Sequence, residues 1–374
     1  MTRPSLLIMS FSPLQADARV LKQIRLFTPL YDVTTCGYGE APEGVVAHVR
    51  IPDHLKAWKY DGKPLRVRAY RWAYWKNPVV AHLRRTMPRG TFDAILADDI
   101  DTVGLALHLA PRRGVHVDLH EYAPRMNEHL PAWNRWVRPF LSWMVRRYVR
   151  RADSITAVAP HIAQEYAARF GLGTVGVVVN ATPYHELEPT SVGEPLRLVH
   201  SGAARPARRI EDMIEAVAGQ EGMIFDLYLT QNTGPYYEKL QELAASTDNV
   251  TIKDPVPYEE LIGTLHGYDV GVFSLPPTNF NYEWALPNKI FDYVQARLGI
   301  AISPSPEMAQ LVREHDLGVI AEGFAATDLR DVLRGLDAQQ VARFKESSHA
   351  AAHALSAERT MEPWREAIGA LLDR

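Results

Sequence analysis

Short, nearly continuous apolar runs alternate with amphipathic stretches along the first half of the chain. Between the first two runs, Val20, Ile24 and Phe27 recur at helical spacing and predict a helix over 18–30. Strands that are apolar throughout, rather than at every second position, are typical of parallel sheets covered on both faces. The predicted strands of this half are 6–10, 31–36, 94–97, 115–119, 154–158 and 175–180.

The second half repeats this alternation, which again favours a doubly wound α/β sheet. A long amphipathic helix is also predicted over about 131–151, and a helix over 360–374 whose apolar face carries Met361, Trp364, Ile368 and Leu371. The predicted strands of the second half are 196–201, 225–229, 250–252, 270–274 and 299–303, and its helices are 210–219, 236–245, 258–265 and 289–297.

A linker separates the two halves. Residues 181–195 contain Pro183, Pro189, Gly193 and Pro195 and no periodic pattern. We therefore predict two Rossmann-like domains, 1–183 and 184–359, with the final helix free to pack back on the first. Two such domains face each other across a cleft at the carboxyl ends of their strands, where doubly wound sheets bind ligands.

Composition narrows the class of protein. The chain has 374 residues, enough for two domains, and 47% of them are hydrophobic. Its single cysteine, Cys36, excludes an internal disulfide and fits a reducing compartment. The apolar run 6–9 is too short for a signal peptide, and no run is long enough to span a membrane, so we expect a cytoplasmic protein.

Charge is sorted along the chain. Residues 55–90 hold ten Lys and Arg and one acidic residue, and residues 133–151 hold six Arg and no acidic residue, although the net charge is -3. Both stretches also contain many Trp and Tyr. Basic and aromatic residues on amphipathic helices are typical of peripheral proteins on anionic membranes. They would equally suit an acidic glycan or a lipid diphosphate, or simply form a solvated face over inward-packed aromatics.

The segment that begins at Leu286 carries the most informative chemistry. Pro287, Asn288 and Lys289 open a predicted helix, whose free N–H groups and positive dipole end attract an anion. Asp292, one turn further, could accept hydrogen bonds from ribose hydroxyls. The same residues are also compatible with an ordinary helix start that has a surface lysine and aspartate.

This segment resembles the donor-binding motif of retaining family-4 glycosyltransferases with the GT-B fold, Pro-Asn-Lys-x-Phe-Glu-Tyr. Here Asp292 stands in place of the glutamate. The resemblance implies that Pro287, Asn288, Lys289 and Asp292 bind a nucleotide sugar, with Asp292 on the ribose. It also implies that Lys289 acts on the diphosphate.

A second motif of the same family follows the first strand of the second half. Gly202 ends that strand, and Arg205, Arg208 and Arg209 come directly after it. The family has one or two basic residues here for the donor diphosphate, and arginine suits bidentate phosphate contacts. Arg208 aligns best, with Arg205 and Arg209 as alternatives.

Two matches lie in the first half. Asp118-Leu119-His120-Glu121 resembles the family's Asp-x-His-Glu, which implies that His120 contacts the transferred sugar and that Glu121 lies on the acceptor side. Ser12 and Asp17 belong to a loop that the family directs toward the acceptor, although Asp17 is also a good helix cap.

One position departs from the family pattern. Many members carry a glutamate eight positions before the ribose-binding acid to hold the donor sugar, and here Trp284 stands there with Glu283 beside it. Either Glu283 takes this role through a shifted loop, or the sugar is held differently. The departure keeps open a non-catalytic partner subunit of the same fold. A sugar-nucleotide 2-epimerase is the other alternative.

The resemblance implies transfer of a hexose, with retention of configuration, from a UDP-sugar to a hydroxyl of a saccharide, a lipid-linked saccharide or a small molecule. Polysaccharide or cell-envelope synthesis at the inner membrane face would suit the basic stretches. No metal is implied, and the triplet Asp99-Ile100-Asp101 lies in the half that does not bind the donor. Nucleic acid is not expected, because no recognised binding module is present.

Overall fold

The computed structural model describes residues 3–372. The chain separates into two compact units. The first contains the chain up to Val179, the short segment Asn279–Asn281 and the chain from Met361 onward, and the second contains Asn180–Thr278 and Tyr282–Thr360.

Thirteen strands are found in the described residues, and every pairing between them is parallel. They are β1 (Ser5–Pro13), β2 (Asp32–Tyr38), β3 (Ala47–Arg50), β4 (Ala94–Asp98), β5 (Gly114–Leu119), β6 (Ser154–Ala157), β7 (Gly176–Val177), β8 (Leu196–Ala203), β9 (Met223–Thr230), β10 (Val250–Lys253), β11 (Val270–Phe273), β12 (Gly299–Ile302) and β13 (Gly318–Ile320).

Helices connect these strands. They are α1 (Ala18–Phe27), α2 (Gly62–Arg66), α3 (Tyr70–Trp75), α4 (Pro78–Thr86), α5 (Asp99–Leu109), α6 (Arg138–Arg147), α7 (Pro160–Phe170), α8 (Ile210–Val217), α9 (Pro235–Ala245), α10 (Tyr258–Leu265), α11 (Phe280–Glu283), α12 (Asn288–Gln295), α13 (Pro306–Glu314), α14 (Ala326–Arg334), α15 (Ala338–Ala351), α16 (Ala357–Thr360) and α17 (Glu362–Leu372).

Each unit is built on one sheet. The first has seven strands in the order β3-β2-β1-β4-β5-β6-β7, and the second has six in the order β10-β9-β8-β11-β12-β13. In both, the first strand of the unit lies inside the sheet and the order reverses beside it, as in doubly wound folds. The prediction of two doubly wound α/β sheets is therefore confirmed.

The core of the first unit explains the position of the last helix. On α1, Val20, Ile24 and Phe27 are buried against β1, as their spacing predicts. Trp364 and Ile368 of α17 belong to the same buried cluster. The C-terminal helix thus completes the core of the unit that contains the N-terminus.

The predicted helix over 131–151 is helical from residue 131 to Arg147. A π-helical turn, Trp133–Val137, lies directly before α6, and a 3-10 turn over Val149–Arg151 ends the segment. Pro139 accounts for the π-helical turn, because it has no N–H to donate and its ring crowds the carbonyl one turn earlier. The predicted long helix is therefore present, although its last residues form a 3-10 turn.

Within residues 3–372, no helix combines the length and the apolar character needed to cross a bilayer.

Candidate functional site

Two clusters of polar side chains lie at the carboxyl ends of central strands, one in each unit. The cluster of the second unit forms around Gly202, near the end of β8. A Cβ atom added to Gly202 would lie 2.7 Å from Cε and 2.9 Å from Nζ of Lys289, and 3.2 Å from Nη1 of Arg208. Only glycine leaves room here for two cationic side chains against the backbone. We call Gly202, Arg208 and Lys289 the anion site.

The anion site has an excess of positive charge. Burial, and then the neighbouring Arg208, lowers the pKa of Lys289 to about 8. Burial also lowers the pKa of Arg208, which is hydrogen-bonded to the hydroxyl of Tyr282. In the part of the chain that the structure describes, neither cation forms an ion pair with a carboxylate, although Asp292 partly offsets the charge of Lys289. Two neighbouring cations that form no ion pair with a described carboxylate can attract an anion of high charge density.

Helix α12 supplies further donors. Its first residues are Asn288 and Lys289, so their free backbone N–H groups and the positive end of the helix dipole lie beside the anion site. Pro287 occupies the N-cap position, one residue before the first helical turn where the sequence placed it. It contributes no N–H, and its extended backbone directs the chain into the helix.

The three candidate arginines have different surroundings. Arg208 ends a 3-10 turn, Pro206–Arg208, and joins Lys289. Arg209 instead lies 2.9 Å from Asp212, and Arg205 donates to Oε1 of Gln231 at 3.0 Å. Since Asp212 already neutralises Arg209, Arg208 is the arginine that the structure brings to Gly202.

Asp292 and Glu283 complete the donor-side candidates. Asp292 is 4% exposed and accepts a hydrogen bond from the hydroxyl of Thr182. This contact holds the carboxylate of Asp292 in position. Glu283 ends the short helix α11 and is half-buried.

His200 is a candidate that the sequence reasoning did not single out. It is fully buried on β8, and its Nδ1 donates to the carbonyl of Val272 at 3.0 Å. Burial, and then the charge of Lys289, lowers its pKa to about 3, so the ring is neutral at physiological pH. Its Nε2 is buried, and residues 3–372 provide no hydrogen-bond partner for it. In the sequence, the one feature that pointed to His200 was its position two residues before Gly202.

The first unit contains a cluster of two buried aspartates and one histidine, Asp98, Asp118 and His120, at the ends of β4 and β5. We call it the buried carboxylate cluster. Arg19 of α1 donates to both carboxylate oxygens of Asp118, at 2.6 and 2.8 Å, and the pair is almost fully buried. Trp364 of α17 also donates to Asp118, at 3.1 Å. Helix α1, which Asp17 caps, and the motif Asp118-Leu119-His120-Glu121 are thus joined by one buried ion pair.

His120 is surrounded by carboxylates. Its Nε2 lies 3.1 Å from Asp98 and 3.4 Å from Asp118, and its Nδ1 lies 3.6 Å from Asp99. Burial alone would lower the pKa of His120, but the three carboxylates outweigh it and hold the pKa well above its usual value. The imidazole is therefore a cation at neutral pH, with 18% of its side chain exposed.

Asp98 and Asp99 hold this arrangement in place. Burial raises the pKa of Asp98 to about 7, and Gln23 donates to its Oδ1 at 2.8 Å. Asp99 adopts a left-handed backbone conformation, with φ of 61°, directly after β4. Its Oδ1 accepts from the backbone N–H of His120 at 3.1 Å. Strained backbone at a strand end is common at functional sites.

The remaining acceptor-side candidates lie in the β1–α1 loop and after β5. Ser12 donates to Asp17 at 2.7 Å, and Asp17 caps α1 by accepting from the N–H groups of Arg19 and Val20. Both side chains therefore have a structural role. Glu121 is exposed directly after His120.

The buried carboxylate cluster has ligand atoms within 4.8 Å of one another, a spacing that metal ions accept. Arg19, however, already occupies both oxygens of Asp118. A divalent cation would have to share that carboxylate with a buried guanidinium, so the donor set fits a metal poorly.

The fold is shared with many solved structures. HepE of Anabaena, in complex with UDP, has a TM-score of 0.70 at 12% identity over 99% of this chain and 100% of its own. Sucrose-phosphate synthase of Thermosynechococcus elongatus has a TM-score of 0.69 at 12% identity over 98% of this chain and 100% of its own.

An α,α-trehalose-phosphate synthase (UDP-forming) of Burkholderia vietnamiensis has a TM-score of 0.64 at 12% identity, with both chains covered in full. No family model matches the chain, and no curated protein is similar to it in sequence. At this identity the likeness establishes the fold, which is the two-domain GT-B architecture of glycosyltransferases.

Proposed function

We propose that this protein is a glycosyltransferase that moves a sugar from a nucleoside diphosphate sugar to a hydroxyl acceptor. The anion site carries the proposal. Arg208 and Lys289 lie side by side against Gly202, next to the first turn of α12. A diphosphate would neutralise both cations and also accept from the backbone N–H groups of the helix.

UDP is the nucleotide we propose. HepE has been crystallised with UDP and with UDP-glucose, on the same fold. We place the ribose hydroxyls on Asp292, whose carboxylate Thr182 holds in position. The uridine diphosphate would then lie along the N-terminus of α12, with its phosphates on Lys289 and Arg208.

Catalysis would come chiefly from charge stabilisation of the leaving diphosphate. As the bond from the anomeric carbon to the phosphate oxygen breaks, negative charge grows on that oxygen, and Arg208 and Lys289 stabilise it. We propose transfer with retention, in which the leaving phosphate accepts the proton of the acceptor hydroxyl. No metal is needed in this scheme, since two fixed cations do that work. The acceptor is a saccharide, such as a cell-envelope glycan or a lipid-linked saccharide.

His120 takes the role of a sugar contact in this proposal. A cationic imidazole with 18% of its side chain exposed donates a strong hydrogen bond to a hydroxyl. Asp98 and Asp118 keep it charged and oriented.

Release of UDP from a panel of UDP-sugars, with analysis of the new anomeric linkage, tests the proposal. We expect one UDP-sugar to be turned over in the presence of a saccharide acceptor, with an α-linked product from an α-linked donor. Asp292→Ala should bind UDP at least tenfold more weakly, through loss of the ribose contact. Turnover of the UDP-sugar to a free epimer without any acceptor would contradict transfer.

The charge state of Lys289 gives a second test. Because its pKa is about 8, Lys289 is mostly charged at pH 7 and mostly neutral at pH 9. We therefore expect the affinity for UDP to fall about tenfold between these pH values, measured by calorimetry. The Lys289→Met variant is the control for titration of UDP and of other groups. Its affinity for UDP should change little between pH 7 and pH 9. Equal profiles for the two proteins would rule out Lys289 as the titrating group.

A further inference from the structure

The first unit contains a cavity that lies outside the anion site and the buried carboxylate cluster. Its volume is about 720 Å³, within the range that holds small ligands. The walls come from α2, the loop before it and the π-helical turn, and they are mainly aromatic and aliphatic. They include Trp58, Leu65, Leu130, Trp133, Trp136 and Val137. We call this space the aromatic cavity.

The aromatic cavity has apolar walls that other side chains do not cover. Trp58 is 58% exposed and Leu130 is 47% exposed. Large apolar side chains that line one concave surface and remain this exposed are a mark of a binding site.

One residue links the aromatic cavity to the strand ends. Tyr60 lines the cavity and donates its hydroxyl proton to Asp101 at 3.1 Å. Asp101 lies in the first turn of α5, two residues after Asp99, which holds the backbone of His120. Tyr60 and Asp101 thus connect the aromatic cavity to α5, the helix whose first residue holds the backbone of His120.

The charged residues around the aromatic cavity indicate which kind of molecule it would bind. Among the described residues that line the cavity, Lys59 and Arg66 are charged, and both are cations with exposed side chains. Lys56 adds a third positive charge, since its Nζ lies 5.2 Å from the ring centroid of Trp58. Apolar walls with a cationic rim are complementary to a hydrocarbon chain that ends in an anionic group.

Another cavity of about 720 Å³ lies between Trp72, Trp75, Arg84 and Trp143. It also contains His108, nine residues along α5 from Asp99, which is roughly 13 Å along a helix. It therefore lies toward the other end of α5 from Asp99 and serves as an internal comparison.

We propose that the aromatic cavity binds the hydrocarbon chain of an acceptor whose saccharide is carried on a phosphate, so that the acceptor is an anionic amphiphile. This inference rests on the proposed transferase function. The chain would fill the space between Trp58 and Trp136, and the phosphate would lie at Lys59 and Arg66. The sugar hydroxyl would then extend past Tyr60 toward His120.

A series of monomeric n-alkyl phosphates, from butyl to decyl and below their micelle concentrations, tests this inference by calorimetry. Affinity should rise by up to about fourfold per methylene until the cavity is full. Alkyl trimethylammonium ions of equal chain length should bind at least tenfold more weakly. Affinity that does not depend on chain length would overturn the inference. So would binding to anionic phospholipid vesicles without binding to any monomeric phosphate, because that result indicates docking on a bilayer surface instead.

Matched variants locate the site. Trp58→Ala should reduce decyl phosphate affinity about tenfold, and Arg66→Gln should reduce the preference for the anionic head. Two control variants should change neither the affinity for decyl phosphate nor the preference for the anionic head. They are Trp72→Ala, at an exposed tryptophan of the comparison cavity, and Arg313→Gln, at an exposed arginine of the second unit. Equal losses in Trp58→Ala and Trp72→Ala would overturn the assignment.

A UDP titration on the same preparations separates the two proposals. If UDP binds but the affinity for alkyl phosphates does not depend on their chain length, the inference about the aromatic cavity is contradicted and the transferase proposal stands. Chain-length dependence without UDP binding removes the transferase proposal, and with it the description of the amphiphile as an acceptor.

Discussion

Replacing Lys289 with methionine is expected to weaken UDP binding about 10–150-fold, because a charge-assisted hydrogen bond to a phosphate contributes roughly 1.5–3 kcal/mol. The same change should raise the free energy of unfolding. Lys289 is held next to Arg208, and its lowered pKa of about 8 shows that the folded protein disfavours its charge. After a discount for its partial exposure, removing that charge should stabilise the fold by on the order of 1 kcal/mol at pH 7. Calorimetry and urea unfolding measure the two effects.

Lys345 is the matched control. It too belongs to the second unit, but it is fully buried, and its Nζ lies 3.2 Å from Asp269 and donates to Thr190 at 2.8 Å. Lys345→Met breaks a buried ion pair and should destabilise the protein by about 3 kcal/mol, with little effect on the intrinsic affinity for UDP. If Lys289→Met destabilised the fold as Lys345→Met does, Lys289 would be a structural lysine and the anion site would lose its main support.

Asp118→Asn is expected to give the largest loss of stability in the first unit. The change removes one partner of a buried bidentate ion pair and leaves the guanidinium of Arg19 without its counterion. Such losses are typically about 3–5 kcal/mol. Urea unfolding at pH 7 measures this loss. Arg50→Gln, which breaks exposed contacts with Glu40 and Asp53, should cost under about 1 kcal/mol.

The pH dependence of this stabilisation has a defined sign. Burial would raise the pKa of Asp118, but Arg19 and then His120 outweigh it, so the pKa lies well below its usual value. A carboxylate with a lowered pKa contributes stability that is present above its unfolded pKa of about 3.9 and lost as the pH falls toward the folded value. The stability difference between Asp118→Asn and the unsubstituted protein should therefore shrink as the pH falls below about 4. A difference that persists unchanged at pH 3 would contradict this account.

Most strands were predictable because they are short apolar runs, which is the pattern expected of a parallel strand that is buried on both faces. Two strands lack this signal and were missed. The side chains of β3 are half-buried or exposed, and β13 has three residues, none of them fully buried. Edge strands have apolar neighbours on one side at most, so their sequences carry a weaker pattern.

The family resemblance predicted that Gly202, Lys289 and an arginine lie together, and it favoured Arg208. Residue types and spacing alone could not choose between Arg205, Arg208 and Arg209, because the direction of each side chain depends on the 3-10 turn and on the left-handed backbone of Arg209, with φ of 47°. Nor could it pair Arg19 with Asp118, since 99 residues separate them and only the sheet order places α1 beside the end of β5.

The roles proposed for Arg208, Lys289 and Asp292 depend on one property, binding of a nucleoside diphosphate by the second unit. Calorimetric titration of UDP into the unsubstituted protein and into Arg208→Ala at pH 7 measures that property directly. The account predicts stoichiometric binding of one UDP, weakened at least tenfold in Arg208→Ala. Absence of UDP binding by the unsubstituted protein, or unchanged binding by the variant, would contradict it.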